Sequence, residues 1–314
     1  MAAKPRIAPM PKQPPADKSV RLITPILKWP GGKRWFVARH MDVLPKQFNR
    51  YIEPFAGSAS LFFALQPTTA ILCDKNEELI ATYRAIRSRS GLVKSALEDH
   101  AQKHSDAYYY QVRATKPTSL IAKAARMLYL NRTCFNGIYR VNHQGIFNVP
   151  RGSKDAVMLD TDDFSAVAAA LRKAELIAGD FSDAINKAQK GDFIFADPPY
   201  TVQHNNNGFI KYNEKIFSWE DQVRLADCLA AAVCRGANVV STNANHQSVR
   251  DLYSSRSFTC RVTSRFSAIS GGGQHRGQYE ELIITSSSKR ESPANEALRP
   301  SQQGGRLRDT AIPN

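Results

Sequence analysis

Residues 193–200 read FIFADPPY, and this stretch decides the fold. The apolar run at its start is typical of a buried parallel strand, so its polar end lies at the edge where open α/β sheets bind ligands. The two prolines stiffen the turn and leave the Pro198 carbonyl free to accept a hydrogen bond. With the Asp197 carboxylate and the Tyr200 ring, that carbonyl suits an amino group on a flat heterocycle. The alternative is a tight turn with a solvated aspartate and a packed tyrosine.

The composition indicates an intracellular protein with a polyanionic partner. The 314 residues carry a formal charge of +15 and an isoelectric point near 9.7, which favours a nucleic-acid partner over a merely basic surface. A run of about 18 apolar residues and a signal-peptide pattern are both absent, so we expect a soluble, cytoplasmic protein without a membrane partner. The five cysteines lack metal-binding spacing, and we expect reduced thiols and no metal.

The chain alternates between an α/β pattern and one insertion. The pattern predicts a catalytic domain built from residues 21–87 and 164–286, which a segment at 88–163 interrupts. Residues 1–20 and 287–314 lack apolar periodicity and are rich in proline, serine and basic side chains. We therefore expect a disordered basic lead and a disordered tail.

Two early loops are candidates for binding a small ligand. Residues 28–33, KWPGGK, form a turn that a ligand can approach closely, with lysines and a tryptophan around it. Residues 50–60 predict a strand and a glycine turn before a helix, which is how a first βα unit binds a nucleotide-like ligand. A second strand at 70–74 ends in Asp74, which is placed to bind ribose hydroxyls or to cap the next helix. Because G-x-G-x-x-G is absent, a pyrophosphate cofactor is disfavoured.

The inserted segment combines helices with a basic hairpin. Residues 92–131 predict helices, and residues 131–152 are rich in asparagine, glycine, arginine and aromatic side chains. Asn136-Gly137 and Gln144-Gly145 are typical hairpin turns. Basic residues accumulate here with few acids, so we interpret the segment as a subdomain that reads nucleic acid. They are Arg113, Lys116, Lys123, Arg126, Arg132, Arg140, Arg151 and Lys154.

The α/β pattern resumes after the insertion. The predicted elements are a strand at 174–178, a helix at 218–235, a strand at 239–241 and a terminal hairpin of 258–262 with 281–285. Ser218 and Asp221 form a capping-box pattern at the start of that helix. The polar residues 203–212 predict a mobile loop beside the site.

Together these motifs resemble the Dam-type, D12-class DNA adenine-N6 methyltransferases of the alpha group, in which the cofactor motif precedes the catalytic one. The resemblance spans residues 26–286, and several spaced motifs in one order are far more specific than DPPY alone. It implies a Rossmann-like α/β sheet of the S-adenosylmethionine-dependent methyltransferases, with an inserted, mainly helical plus hairpin DNA-recognition subdomain. The motifs are KWPGGK at 28–33, EPFAGSAS at 53–60, Asp74, NRTCFNGIYRVNHQGIFNVP at 131–150, DPPY at 197–200 and Glu280-Glu281-Leu282.

The resemblance implies methyl transfer from S-adenosylmethionine to N6 of an adenine that is flipped out of duplex DNA. Asp197, Pro198 and Tyr200 would be catalytic. Trp29 and Lys33 would lie near the methionine part of the cofactor, and Phe55 and Phe181 would enclose its adenine. Asp180 would meet the adenine edge or cap the following turn. The full expected cofactor set is Trp29, Lys33, Glu53, Phe55, Gly57, Asp74, Asp180, Phe181 and Asp197.

For DNA recognition, Arg140 is suited to bidentate contact with guanine O6 and N7. The resemblance implies that it reads the first base of a GATC-like site. Phe135, Asn136 and Ile138 would pack near the flipped base, and Pro150 would lie beside the thymine methyl group. Hairpin packing or phosphate contact is the alternative for each. The residues after Pro150 lack the longer basic-aromatic continuation of the Dam pattern, so the bases after the first guanine stay open.

Rival functions remain at this point. A methyltransferase acting on cytosine N4 or on RNA would hold its amino group in a similar pocket, and a DNA-binding module without catalysis is the alternative from another class. We expect double-stranded DNA as the partner and a monomer as the oligomeric state. A cognate restriction enzyme is a further candidate partner, because restriction-paired, orphan and phage-borne enzymes share these motifs.

Overall fold

A single sheet lies at the centre of the protein. The computed structural model describes residues 22–142, 146–201, 217–267 and 277–286. Its strands, in chain order, are β1 (Tyr51–Glu53), β2 (Ala70–Asp74), β3 (Ala174–Ala178), β4 (Phe193–Ala196), β5 (Asn238–Ala244), β6 (Phe258–Ser267) and β7 (Gly277–Ser286). They form one seven-stranded sheet in the order β3-β2-β1-β4-β5-β7-β6.

The strand directions gather the carboxyl ends of five strands at one edge. Strands β3, β2, β1, β4 and β5 are mutually parallel, whereas β7 runs antiparallel between β5 and β6. Because β7 is reversed, its Glu281 pairs with Ala244 at the end of β5. Glu281 therefore lies at the same edge as Asp74 and Asp197, which end or follow β2 and β4. This edge is where a mainly parallel sheet binds its ligands.

Helices cover both faces of the sheet. They are α1 (Arg34–Arg39), α2 (Ser60–Leu65), α3 (Glu77–Gln102), α4 (Asp106–Ala114), α5 (Leu120–Thr133), α6 (Phe164–Leu171), α7 (Phe181–Ile185), α8 (Trp219–Cys234) and α9 (Gln247–Ser254). Short 3-10 turns span Met41–Val43 and Phe135–Gly137. Ser218 and Asp221 form the reciprocal capping box that begins α8, as the sequence predicts. Helix α3 continues across Arg89, where the backbone leaves helical geometry and the helix bends.

Alternating side chains divide the core between the two faces. Phe193 and Phe195 of β4 pack into one cluster, and Ile194 and Ala196 pack into the other. The first cluster continues from the sheet into the buried residues of α3, α4 and α5. The inserted helices thus share a core with one face of the sheet, which orients the hairpin that follows α5.

Most elements agree with the sequence predictions. The strands at 70–74, 174–178 and 193–196 have the predicted bounds, and the terminal hairpin is the antiparallel pair β6–β7. The predicted loop at 203–212, the turn at Gln144-Gly145 and both tails lie outside the described residues. Every helix in the described ranges is too short or too polar to cross a membrane.

Candidate active site

The Asp197 carboxylate is held from two sides. It follows β4, and its Oδ1 lies 2.7 Å from Lys33 Nζ and accepts a 2.7 Å hydrogen bond from Thr242 Oγ1 on β5. Asp197 Oδ2 accepts no hydrogen bond from the residues that the structure describes. The side chain is 17% exposed. One oxygen is therefore fixed by the protein, and the other is available to a ligand.

Lys33 links the KWPGGK turn to this carboxylate. Its side chain is only 5% exposed, and Nζ also donates to the Gly31 carbonyl at 3.1 Å. The same Nζ lies 3.9 Å from Glu281 Oε2 and 5.6 Å from the centroid of the Tyr200 ring. Lys33 is thus a buried cation shared by two carboxylates, with the DPPY aromatic ring within cation–π distance.

Burial dominates the electrostatics of the site. Burial raises the pKa of Asp197, while the charge and hydrogen bond of Lys33 oppose that rise. Burial also raises the pKa of Glu53 well above its ordinary value, although Tyr51 donates to Glu53 Oε2 at 3.0 Å. Water is therefore largely excluded from the end of β1 and β4, and charges there act over short distances with little screening.

A strained turn connects β1 to α2. Gly57 has a φ of +46° and Ala59 a φ of +51°, so an alanine adopts the left-handed conformation where related loops often have glycine. Asp74 fixes this turn, because its Oδ2 accepts the Gly57 N–H at 2.9 Å. Tyr83 Oη donates to the Gly57 carbonyl at 2.6 Å. We call the turn from Pro54 to Ala59 the cofactor turn below.

Asp74 does not cap α3. Asn76 is the N-cap, and its side chain accepts the Leu79 N–H. Asp74 Oδ1 accepts the Asn76 N–H at 2.9 Å, so each of its oxygens holds one backbone group. A carboxylate oxygen has a second lone pair, and both Asp74 oxygens can still accept a hydroxyl.

Trp29 lies directly against the cofactor turn. A Cβ atom built on Gly57 would approach Trp29 Cδ1 to 2.7 Å, so only glycine fits at this contact. On its other side Trp29 stacks with Tyr139, with ring centroids 6.4 Å apart and planes inclined by 17°. Trp29 thus lies between the cofactor turn and the segment after α5.

Phe55 and Phe181 are brought together, but not as an open pair. Their ring centroids are 5.5 Å apart, and Phe217 packs its edge against both. Two rings that enclose a third need about 7 Å between them, because each layer takes about 3.5 Å. In this arrangement the two rings are in direct contact, and their enclosure of an adenine stays a prediction that requires them to separate.

Asp180 caps α7, which was the alternative left open from the sequence. Its Oδ1 accepts from Ser182 N and Oγ, and Arg224 forms a bidentate pair with it at 2.6 and 2.9 Å. The Arg224 hydrogen bonds hold the pKa of Asp180 well below its usual range. The same guanidinium lies 4.1 Å from the centroid of the Phe181 ring. Both Asp180 oxygens are engaged within the protein.

The recognition hairpin, residues 134–151, starts where α5 ends. Antiparallel bridges join Cys134 to Arg151 and Val141 to Phe147. Asn136 and Gly137 form a tight turn with positive φ angles next to α5, and they do not connect two strands as a hairpin turn would. The hairpin prediction at this dipeptide was therefore wrong, because the chain turns here to leave the helix.

The predicted DNA-contacting residues lie on the outer surface of this hairpin. Phe135 is 49% exposed, which is unusual for a phenylalanine, and Asn136 beside it is exposed. The Phe135 N–H donates to the Pro150 carbonyl at 2.9 Å, so these two residues are neighbours. Ile138 and Arg140 are half-buried, and Arg140 makes no hydrogen bond or ion pair with the described residues. Arg140 is available to a partner.

Part of the basic charge expected to bind DNA is structural. Arg132 is buried and forms a bidentate pair with Asp162, and Arg126 donates to backbone carbonyls in the last turn of α4. Lys116 and Lys123, by contrast, are exposed. Counting basic residues in the sequence does not distinguish these structural arginines from the exposed lysines, because only the fold shows which charged side chains have partners.

The family comparison shows which family the chain belongs to. The family model described as the D12 class N6 adenine-specific DNA methyltransferase matches residues 29–269, which is more than half of the chain. The chain belongs to this family. It is an adenine-specific DNA methyltransferase with a Rossmann-like fold, and the family favours adenine in DNA over the cytosine N4 and RNA alternatives.

Relatives of the D12 enzyme align over most of their length. The type II methyltransferase M1.LlaDCHI of Lactococcus lactis subsp. cremoris is 33% identical over 272 residues, 84% of this chain and 95% of that protein. The type II methyltransferase M.MjaIII of Methanocaldococcus jannaschii is 30% identical over 286 residues, 83% and 99% of the two chains. The DNA adenine methylase of Escherichia coli K12 is 29% identical over 261 residues, 82% and 93%.

The sequence analysis assigned no role to three residues of the candidate site. Thr242 binds Asp197, Glu281 shares Lys33, and Arg224 holds Asp180. A signal existed for Thr242, because a polar residue that follows an apolar strand lies at the ligand-binding edge. Glu281 could not be assigned to the site in this way. It lies within β7, and only the antiparallel direction of β7 brings it to that edge.

Proposed function

We propose that this D12 enzyme transfers a methyl group from S-adenosylmethionine to N6 of an adenine flipped out of duplex DNA, within a GA-containing site of the GATC type. The observation that carries the proposal is the orientation of Asp197. Lys33 and Thr242 both hold Oδ1, so Oδ2 faces a ligand without competition from the described residues.

The cofactor turn fits S-adenosylmethionine by its chemistry. Asp74 offers a second lone pair on each oxygen, which suits ribose hydroxyls. Gly57 permits Trp29 to pack directly on the backbone of the cofactor turn. The cofactor would supply a methyl group on a positively charged sulfur, and the Glu53 and Asp197 carboxyl groups suit a cation nearby. Adenine binding at Phe55 and Phe181 requires that those two rings separate.

The DPPY residues suit the amino group of the target base. Adenine N6 carries two N–H bonds, and Asp197 Oδ2 and the Pro198 carbonyl offer two acceptors. The Pro198 carbonyl accepts no hydrogen bond from the described residues. Holding both N–H bonds directs the nitrogen lone pair away from these acceptors, which is a positioning and electrostatic effect. The Tyr200 ring is half-buried and would stack on the base.

The recognition subdomain, proposed to span residues 88–163, would place the hairpin on the DNA. An adenine inside duplex DNA must rotate out of the stack, which costs a few kcal/mol. Phe135 is exposed beside Asn136 and would fill the space that the adenine leaves. Arg140 would read a guanine in the major groove, since its guanidinium is unengaged among the described residues.

The test replaces the carboxylate and keeps its shape. Asp197→Asn should abolish transfer of labelled methyl groups from S-adenosylmethionine to duplex DNA, while affinity for DNA persists. Asp160→Asn, on an exposed aspartate, is the control and should leave transfer unchanged. Mass analysis of nucleosides from the wild-type reaction should show N6-methyladenine. An active Asp197→Asn enzyme would contradict the mechanism, and N4-methylcytosine in the product would contradict the choice of base.

A further inference from the structure

Tyr139 is a buried side chain of the recognition hairpin that touches the cofactor side of the protein. Its ring lies between Trp29 and Phe147, with the Phe147 centroid 4.8 Å away. Its hydroxyl donates to Glu78 Oε2. Tyr139 therefore connects the recognition hairpin to the rest of the enzyme, through a ring stack with Trp29 and a hydrogen bond to Glu78.

Two of the contacts of Tyr139, those with Trp29 and Glu78, lead towards the cofactor turn. Trp29 packs on Gly57 of the cofactor turn. Glu78 lies in the first turn of α3, just after Asp74, which holds the same cofactor turn through the Gly57 N–H. The ring of Tyr139 thus contacts a residue that packs on the cofactor turn, and its hydroxyl bonds to the helix that follows Asp74.

The neighbours of Tyr139 face the other way. The chain is extended at Ile138, with φ and ψ of −84° and 103°, so successive side chains point to opposite sides. The burial pattern follows this alternation, because Tyr139 is buried whereas Ile138 and Arg140 are only half-buried. The contacts of the buried Tyr139 side chain therefore fix the position of Arg140, which points to the opposite side.

We propose that Tyr139 is a positioning residue that couples cofactor binding to DNA reading. Ordering of the cofactor turn and of the start of α3 by the cofactor is transmitted through Trp29 and Glu78 to Tyr139, and it fixes Arg140 for its base. This inference rests on the proposed function. By linkage, a cognate duplex must then tighten cofactor binding by the same factor by which the cofactor tightens DNA binding.

The experiment measures that factor directly. The probe is S-adenosylhomocysteine, which carries no transferable methyl group. Its dissociation constant is measured by calorimetry without and with a saturating duplex. The duplex contains the sequence that the enzyme is found, by sequencing, to methylate. The ratio of the first dissociation constant to the second is the coupling factor. For the wild-type enzyme we expect the duplex to tighten binding by at least about fivefold. Tyr139→Phe keeps the ring stack and removes only the hydroxyl, so it should bring the ratio at least halfway towards one.

A second pair of variants tests the same hydrogen bond from its other end. Glu78 is exposed, so its replacement does not disturb a core. Glu78→Ala should lower the ratio as Tyr139→Phe does, whereas Glu78→Gln retains an acceptor oxygen and should preserve it. Tyr253→Phe is the matched control, because this buried tyrosine hydroxyl accepts from Gln222 at 3.0 Å between α8 and α9. It should leave the ratio unchanged.

The outcomes separate this inference from the proposed function. A wild-type ratio of one, or an unchanged ratio in Tyr139→Phe and Glu78→Ala, overturns the coupling while adenine methylation stands. An equal fall of the ratio in Tyr253→Phe also overturns it, since general loosening would then be the cause. Failure of the wild-type enzyme to bind the probe or to methylate adenine contradicts the proposed function instead.

Discussion

Replacing Lys33 by methionine tests how the enzyme holds its Asp197 carboxylate. Methionine matches the length of the lysine stem and removes the charge. The change deletes the 2.7 Å contact with Asp197 and the 3.9 Å contact with Glu281, and it leaves two carboxylates without their shared cation. Removing one partner of a buried pair costs about 3–5 kcal/mol of unfolding free energy. Because Asp197 retains some exposure, we expect the lower end, about 3 kcal/mol, near pH 8.

The loss should depend on pH in a stated direction. Burial raises the folded pKa of Asp197, and Lys33 opposes that rise, so the variant's folded pKa lies higher still. A carboxyl group with a raised folded pKa adds most stability below its unfolded pKa and loses that contribution as pH rises through the folded value. The difference in unfolding free energy between the wild-type protein and Lys33→Met therefore grows as pH rises from the lower to the higher of their two folded Asp197 pKa values. The increase is up to about 1.4 kcal/mol per pH unit.

The assay combines stability and turnover. Urea unfolding of both proteins at pH values above the ordinary aspartate pKa should show a difference in unfolding free energy that widens with pH, and the acidic limb of the methyl-transfer rate should shift to higher pH in the variant. Lys94→Met is the matched control, because Lys94 forms an exposed pair with Glu98 one helical turn away. That pair is worth only about 0.5 kcal/mol. A constant gap and an unshifted rate profile for Lys33→Met would refute the reasoning.

Two further changes separate structural from DNA-reading arginines. Arg132→Met should lower the unfolding free energy by about 3–5 kcal/mol, because it leaves buried Asp162 and two carbonyls unpaired; thermal melting checks this, and adding Asp162→Leu should recover part of the loss. Arg140→Ala should leave melting unchanged and cost about 1–3 kcal/mol at a single guanine. Competition between duplexes with single base changes measures the latter, and an equal loss on every sequence would indicate a phosphate contact.

The strand that precedes DPPY could be predicted because local chemistry specifies it. Phe193 to Ala196 form an apolar run that has to be buried on both faces, and two prolines end it. The capping box at Ser218 is equally local. Local chemistry was not always sufficient, because Asn136-Gly137 has the residues of a hairpin turn and instead turns the chain away from α5.

Pairings between distant segments could not be predicted. The sequence placed Lys33 in a loop predicted to bind a small ligand, and in the fold its partner is the catalytic candidate Asp197. Arg132 was predicted among the DNA-reading residues, but its guanidinium forms an ion pair with Asp162. A charged side chain is compatible with several partners, and only the packing of the elements that carry it selects one. The contact of Tyr139 with Glu78 is of the same kind.

The acidic residues at the sheet edge differ in sign of charge from the exposed lysines of the inserted segment. The sheet edge holds the carboxyl groups of Glu53, Asp74, Asp197 and Glu281, and Lys33 contacts the last two, in a site where burial weakens screening. Under the proposed function, these carboxyl groups would accept a cationic methyl donor better than a phosphate, whereas the exposed lysines of the inserted segment would favour the phosphates of DNA. A neutral adenine would meet neither repulsion, so the proposed charges would admit a base to the site and keep the DNA backbone outside it.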